Sequence, residues 1–198
     1  MPPEPKGDDV KIVTVLGGPH DDGNTAAALG LVEERVAGAG HSVDRIRLSG
    51  LRFRGCQGCY ECQKKTDEPG CAVRDDVPGA LDRILAADAV VYATPLYMWG
   101  PAADLRAFLE RHLCLVTGYG TKNLKSLVAG KRAALLVTCG GPKEENADLI
   151  EEMFARATDY FRADSIGTHV VPLCTTPDAL PDAADLAARA IAERITRR

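Results

Sequence analysis

The sequence predicts an α/β domain: a doubly wound sandwich with a five-stranded parallel sheet and helices on both faces. Three observations carry this prediction. Five apolar runs alternate with five stretches of helical spacing along the chain. The first run is apolar and β-branched over successive residues, as a strand covered on both faces must be. The 198 residues are 45% hydrophobic, enough to bury a sizeable core, so residues 1–198 read as one domain.

Each element follows from local chemistry. Pro2, Pro3 and Pro5 mark residues 1–10 as a loose tail. Residues 11–18 (KIVTVLGG) form the first strand. Residues 24–39 place Ala27, Leu29, Leu31, Val32 and Val36 near helical spacing until Gly38 and Gly40 stop the helix. Residues 41–48 alternate Val43, Ile46 and Leu48 as a half-exposed second strand. A cysteine-rich insertion occupies residues 53–75. Asp76 then reads as an N-cap, with Pro78 just inside a helix running to about Ala86.

The second half repeats the scheme. Residues 89–94 (AVVYAT) make a strand that breaks at Pro95. Pro101 opens a helix with Leu105, Phe108, Leu109 and Leu113 on one stripe. Residues 133–138 form the fourth strand, and Gly140 and Gly141 lead to a helix over 144–161. Residues 165–173 are the fifth strand, and residues 178–198 the last amphipathic helix.

Charge and composition exclude several classes. Acidic residues outnumber basic ones 28 to 24, for a net charge of −4, so no basic stripe suits nucleic acid. No apolar run approaches the ~20 residues of a membrane span. The start, MPPEPKGDD, lacks a charged-then-apolar signal pattern, and a cytoplasmic location is expected. Seven cysteines, four of them within residues 56–71, are then a question of chemistry, since structural disulfides are rare in a reducing compartment.

A doubly wound sheet binds its ligand beyond the carboxyl ends of its strands. After the first strand comes GGPHDDGNT (17–25), running straight into a helix whose free N–H groups attract an anion. It has neither G-x-G-x-x-G nor a Gly-Lys-Ser/Thr ending, which disfavours dinucleotide and P-loop readings. After the third strand comes TPLYMWG (94–100), with the only tryptophan, a setting for a flat ring. After the fourth, Thr138, Cys139, Gly140 and Gly141 allow a ligand to approach the backbone closely.

GGPHDDGNT, TPLYMWGPAADLRAFLER and TCGG together resemble the NAD(P)H-dependent FMN reductase superfamily, with its flavodoxin-like fold, over about residues 11–173. The cysteine stretch resembles its iron–sulfur flavoprotein branch. The resemblance implies FMN as cofactor and NAD(P)H as cosubstrate. It places Gly18, His20, Gly23, Asn24 and Thr25 around the FMN phosphate. Pro95, Leu96, Tyr97, Met98, Trp99 and Gly100 would line the flavin ring, with Thr138, Gly140 and Gly141 on its far side. This chain departs from the family where a usual serine is Gly18 and a usual arginine is His20. His20 on phosphate and His20 exposed without a role both remain open.

Cys56, Cys59 and Cys62 have the C-x2-C-x2-C spacing that lets one tight loop grip adjacent irons, and Pro69-Gly70 can return Cys71 to the group. A [4Fe–4S] cluster, a thiol or disulfide site and a four-thiolate zinc site all fit this set. Cys114, Cys139 and Cys174 sit in apolar sequence and read as core, with Cys139 also in the third flavin loop. Arg45, Arg47, Arg52 and Arg54 read either as a solvated strand face or as partners for the 2′-phosphate of NADPH.

Three functions follow. The first is a flavin oxidoreductase passing electrons from NAD(P)H through FMN to a quinone, small aromatic, flavin or iron–sulfur acceptor, with no catalytic acid or base required. The second is an electron carrier between protein partners. The third is a zinc-stapled binding module without redox chemistry. The resemblance further implies a homodimer or homotetramer with FMN near the interface.

Overall fold

The computed structural model describes residues 9–176 and 180–197. Its strands are β1 (Lys11–Leu16), β2 (Ser42–Arg47), β3 (Ala89–Tyr97), β4 (Gly100–Pro101), β5 (Val116–Thr117), β6 (Lys125–Ser126), β7 (Arg132–Thr138) and β8 (Asp164–Val171). Its helices are α1 (Asn24–Gly38), α2 (Val77–Ala86), α3 (Ala103–Arg111), α4 (Asp148–Tyr160) and α5 (Asp182–Ile195). The main sheet is parallel in the order β2-β1-β3-β7-β8. This is the five-stranded, doubly wound sandwich expected.

Alternate side chains of the sheet enter two cores. Val13, Val15, Tyr92, Leu135 and Val137 face α2, α3 and α4. Ile12, Leu16, Val91, Ala134 and Leu136 face α1 and α5. The chain reverses strand order between β1 and β3, which opens the crevice where ligands of such sheets sit.

Several boundaries differ from expectation for identifiable reasons. The third strand passes through Pro95 to Tyr97, because Leu96 and Tyr97 pair antiparallel with Pro101 and Gly100 in a hairpin. Pro101, having no N–H, sits in that short strand, and α3 starts at Ala103 instead. The fourth helix starts at Asp148 rather than Glu144, because Glu145 takes the left-handed φ of 55°. Asp76 occupies the N-cap of α2, yet its carboxylate accepts from the Arg52 N–H at 2.7 Å. Asp75 reaches the Val77 N–H in its place, at 3.2 Å.

Within the expected tail, residues 1–8 lie outside the described residues. Val10 is buried, and its N–H donates to His41 Nδ1. The last helix begins at Asp182, and the expected start at Asp178 also lies outside the described residues.

Candidate functional site

The three loops converge. Gly18, His20, Gly23, Asn24 and Thr25 from the first, Pro95, Leu96 and Tyr97 from the second, and Thr138 and Gly140 from the third line one cleft of about 270 Å³. Pro19, Cys139 and Cys174 complete its wall. Thr25 and Thr138 join across the floor through their hydroxyls at 2.6 Å.

The first loop is built to receive an anion. α1 has no side-chain cap and no acidic residue in its first turn, so its leading amides are left for a ligand. Asp21 turns to Ser49 Oγ at 3.0 Å and towards Arg47 at 3.9 Å, and neither Asp21 nor Asp22 lines the cleft. Asn24 Nδ2 donates to the Cys174 carbonyl at 2.8 Å, which pins the loop to the end of the sheet. Its Oδ1 is buried without a donor among the described residues. A ligand hydroxyl would satisfy it.

Gly18 and Gly140 admit a close ligand for different reasons. A Cβ at Gly18 would stand 3.2 Å from Pro95 Cδ, whereas one at Gly140 would meet nothing within 4 Å.

The second loop is a two-residue hairpin. Met98 and Trp99 both take positive φ, 49° and 61°, a pairing that normally calls for Asn-Gly. Such strain persists where the surrounding structure holds it. Met98, Trp99, Gly100 and Gly141 stand outside the cleft wall. Met98 is 84% exposed and Trp99 51%.

Cys174 is the residue of this cleft that sequence reasoning missed as a site. It follows β8, and the rule placing ligands at carboxyl strand ends applies to that strand also. Cys139 and Cys174 are both buried, and burial pushes both thiols up.

A second constellation lies in the cysteine insertion. Cys56, Cys59, Cys62 and Cys71 line one pocket together with Arg111, Leu113 and Cys114. The C-x2-C-x2-C turn is coiled by left-handed backbone at Gly58 (φ 63°) and Tyr60 (φ 57°). Cys62 is buried, whereas Cys56 and Cys59 are exposed and Cys71 is half-buried. Burial pushes the Cys62 thiol up, the Gln63 amide opposes this, and the other three cysteines add to it.

Gly70 makes the return of Cys71 feasible: a Cβ there would lie 3.1 Å from the Cys62 carbonyl oxygen. Gln63 clips the loop to its neighbour, donating to Val116 O at 2.9 Å and accepting from the Tyr119 N–H at 3.1 Å. The long 117–130 segment therefore packs on the cysteine insertion, with Tyr119 against Tyr60, and does not line the flavin cleft.

Among the described residues no three His, Cys, Asp or Glu converge closely enough for a single metal ion. All seven cysteines are free thiols.

Of the four arginines, Arg45 is committed to Glu33, with Nε to Oε1 at 2.8 Å, and Arg47 lies 3.9 Å from Asp21. Arg111, which closes the TPLYMWGPAADLRAFLER stretch and was given no role there, lines the thiol pocket. No helix among the described residues is long and apolar enough to cross a membrane.

An iron–sulfur flavoprotein of Methanocaldococcus jannaschii is 26% identical over 145 residues, covering 73% of this chain and 72% of that one. One from Archaeoglobus fulgidus is 29% identical over 104 residues, covering 52% of this chain and 46% of the relative. The chain thus spans about half the length of several of the curated relatives it matches. Among solved structures, an NAD(P)H:quinone oxidoreductase from Methanothermobacter marburgensis superposes with a TM-score of 0.74 at 17% identity, over 96% of this chain and 98% of that one. An FMN-dependent NADH-azoreductase from Bacillus anthracis, in complex with FMN, gives 0.72 at 11% identity, over 95% and 100%. These likenesses establish the flavodoxin-like fold. The profile of NADPH-dependent FMN reductases matches residues 10–190, and by that match this chain belongs to the NADPH-dependent FMN reductase family of flavin oxidoreductases, with FMN as cofactor and NAD(P)H as cosubstrate.

Proposed function

We propose that the chain oxidises NAD(P)H and passes the electrons through FMN to a cluster held by Cys56, Cys59, Cys62 and Cys71, and from there to a quinone, small aromatic, flavin or protein acceptor. The observation that carries this reading is the meeting of three strand-end loops in one cleft, with a four-thiol pocket on the same chain.

FMN, when bound, supplies a ring that accepts hydride and gives up electrons singly or in pairs. The chain does the rest. The amides opening α1, with His20 and Thr25, would hold the phosphate, and Asn24 Oδ1, buried without a donor, would accept from a ligand hydroxyl. Pro95, Leu96 and Tyr97 hold one side of the ring, with Gly140 and Thr138 on the other. No side chain has to move a proton in the hydride step, in keeping with a cleft that has no carboxylate in its wall.

The four thiols fit an iron–sulfur group, because they share one pocket and Arg111 brings a buried N–H without an acceptor to the same place. Bound there, the cluster would divide electron pairs into single electrons. That supports the second reading, an electron carrier between protein partners. The exposed Tyr97, Met98 and Trp99 at the cleft mouth suit burial in a homodimer or homotetramer. The acidic balance and unpaired cysteines suit the cytoplasm.

The test is NADH and NADPH oxidation by FMN-loaded protein, with a quinone and with a ferredoxin-type protein as acceptors. Turnover with the quinone supports the oxidoreductase. Slow turnover with fast single-electron exchange supports the carrier. An absence of either result contradicts both.

A further inference from the structure

Arg111 ends α3 in an unusual setting. Its side chain is 1% exposed, so its charge must be met from within the protein. Nη1 donates to Asp75 Oδ2 at 2.6 Å and to the Arg54 carbonyl at 2.9 Å, and Nη2 donates to Asp75 Oδ1 at 3.0 Å.

Arg54 lies on the stem before Cys56 and Asp75 on the stem after Cys71, at the two ends of the 53–75 insertion. One guanidinium therefore ties both stems of that loop. Of the donors that remain, Nε is buried and has no acceptor among the described residues. The side chain also lines the thiol pocket, and the Cys71 sulfur, like Asp75, favours its charge. A buried donor without a partner is costly, and the pocket is where an acceptor would enter.

Resting on the cluster reading above, we propose that Arg111 is the positioning residue of the cysteine pocket: it closes both stems of the loop and donates Nε–H to an anionic sulfur of the iron–sulfur group. The consequence is electrostatic. One electron entering the cluster makes its sulfurs more negative, so an N–H fixed beside them favours the reduced form over the oxidised form. Hydrogen bonds to sulfur and local charge are established controls of cluster potential. Asp75 balances the arginine's charge from the side away from Nε, leaving the directed N–H as the main influence.

The experiment uses the full chain, reconstituted without oxygen with iron and sulfide, and compares the wild type with Arg111→Lys. Lysine keeps the positive charge but has neither the fork nor Nε–H. Iron is assayed in both, and the cluster potential is read by dye-mediated titration with dithionite as the reductant. The expected result is a variant that retains iron, with a reduced-to-oxidised ratio at fixed potential at least tenfold lower, or 59 mV for a one-electron couple.

A second readout needs no variant. Pulsed paramagnetic resonance of the reduced wild type, grown on 15N-arginine, should show nitrogen coupled to the cluster. Full iron with an unchanged potential in the variant, or an absence of 15N coupling in the wild type, overturns the role of Arg111 and leaves the cluster standing. Wild-type protein that takes up no iron overturns the cluster reading and this role with it.

Discussion

Thr25, in the first turn of α1, and Thr138, at the end of β7, share a hydrogen bond of 2.6 Å beneath the flavin cleft. Both are buried, so neither hydroxyl has water as a substitute partner. The bond links the first loop to the third across the cleft floor. Thr25→Val or Thr138→Val leaves one buried hydroxyl unpaired and should cost about 1–2 kcal/mol of stability. FMN affinity should fall about fivefold in either. The double variant should lose less than the sum, because the two side chains act as one unit. Equilibrium unfolding and FMN titration check this.

Gly17 and Gly140 should respond oppositely to the same methyl group. A Cβ at Gly17 would come within 2.5 Å of Leu105 Cβ, inside packed core. Gly17→Ala should destabilise the fold by roughly 1–3 kcal/mol. Gly140→Ala meets no protein atom within 4 Å, so it should leave the unliganded protein as stable as before while weakening FMN. Thermal unfolding with and without FMN separates the two effects.

His20 lines the cleft, where the family resemblance implies arginine as the usual residue. His20→Ala should raise the Kd for FMN about tenfold, the scale of one hydrogen bond to a charged group. His20→Arg should tighten binding, because a forked guanidinium matches phosphate geometry with paired donors. Equal affinities in all three proteins would leave His20 with no part in phosphate binding.

Acid should weaken the fold through His112. Its Nε2 meets the Tyr92 hydroxyl at 2.8 Å, its Nδ1 meets the Phe108 carbonyl at 2.9 Å, and burial lowers it to about 4. The unfolded chain binds that proton near pH 6.5 and the folded chain only near pH 4, so stability is complete above the first value and is lost as pH falls towards the second. The loss should reach about 2 kcal/mol by pH 5. His112→Gln should flatten that part of the profile in a urea titration across pH.

The meeting of the three loops in one cleft was legible in the sequence because it lies where strands end, and glycine, proline and small polar residues punctuate those ends. The fold was legible for the same reason, through apolar runs separated by helical spacing. Cys174 was less visible, since burial and cleft lining call for the same residue type. Met98 and Trp99 looked like ring contacts, but the hairpin through Leu96 and Pro101 turns them outwards at its tip. That hairpin is local, but Met-Trp at its tip lacks the Asn-Gly signature that would announce it. Arg111 could not be found from spacing at all, because its partners Arg54 and Asp75 are 57 and 36 positions away in the chain.

The most direct test of the account is the absorption spectrum of protein purified without oxygen, with iron and acid-labile sulfide assayed on the same sample. The account predicts resolved flavin bands on a broad brown shoulder, with about four irons per chain. Protein that stays without flavin bands after FMN is added would contradict it, because the three loops would then not form a flavin site.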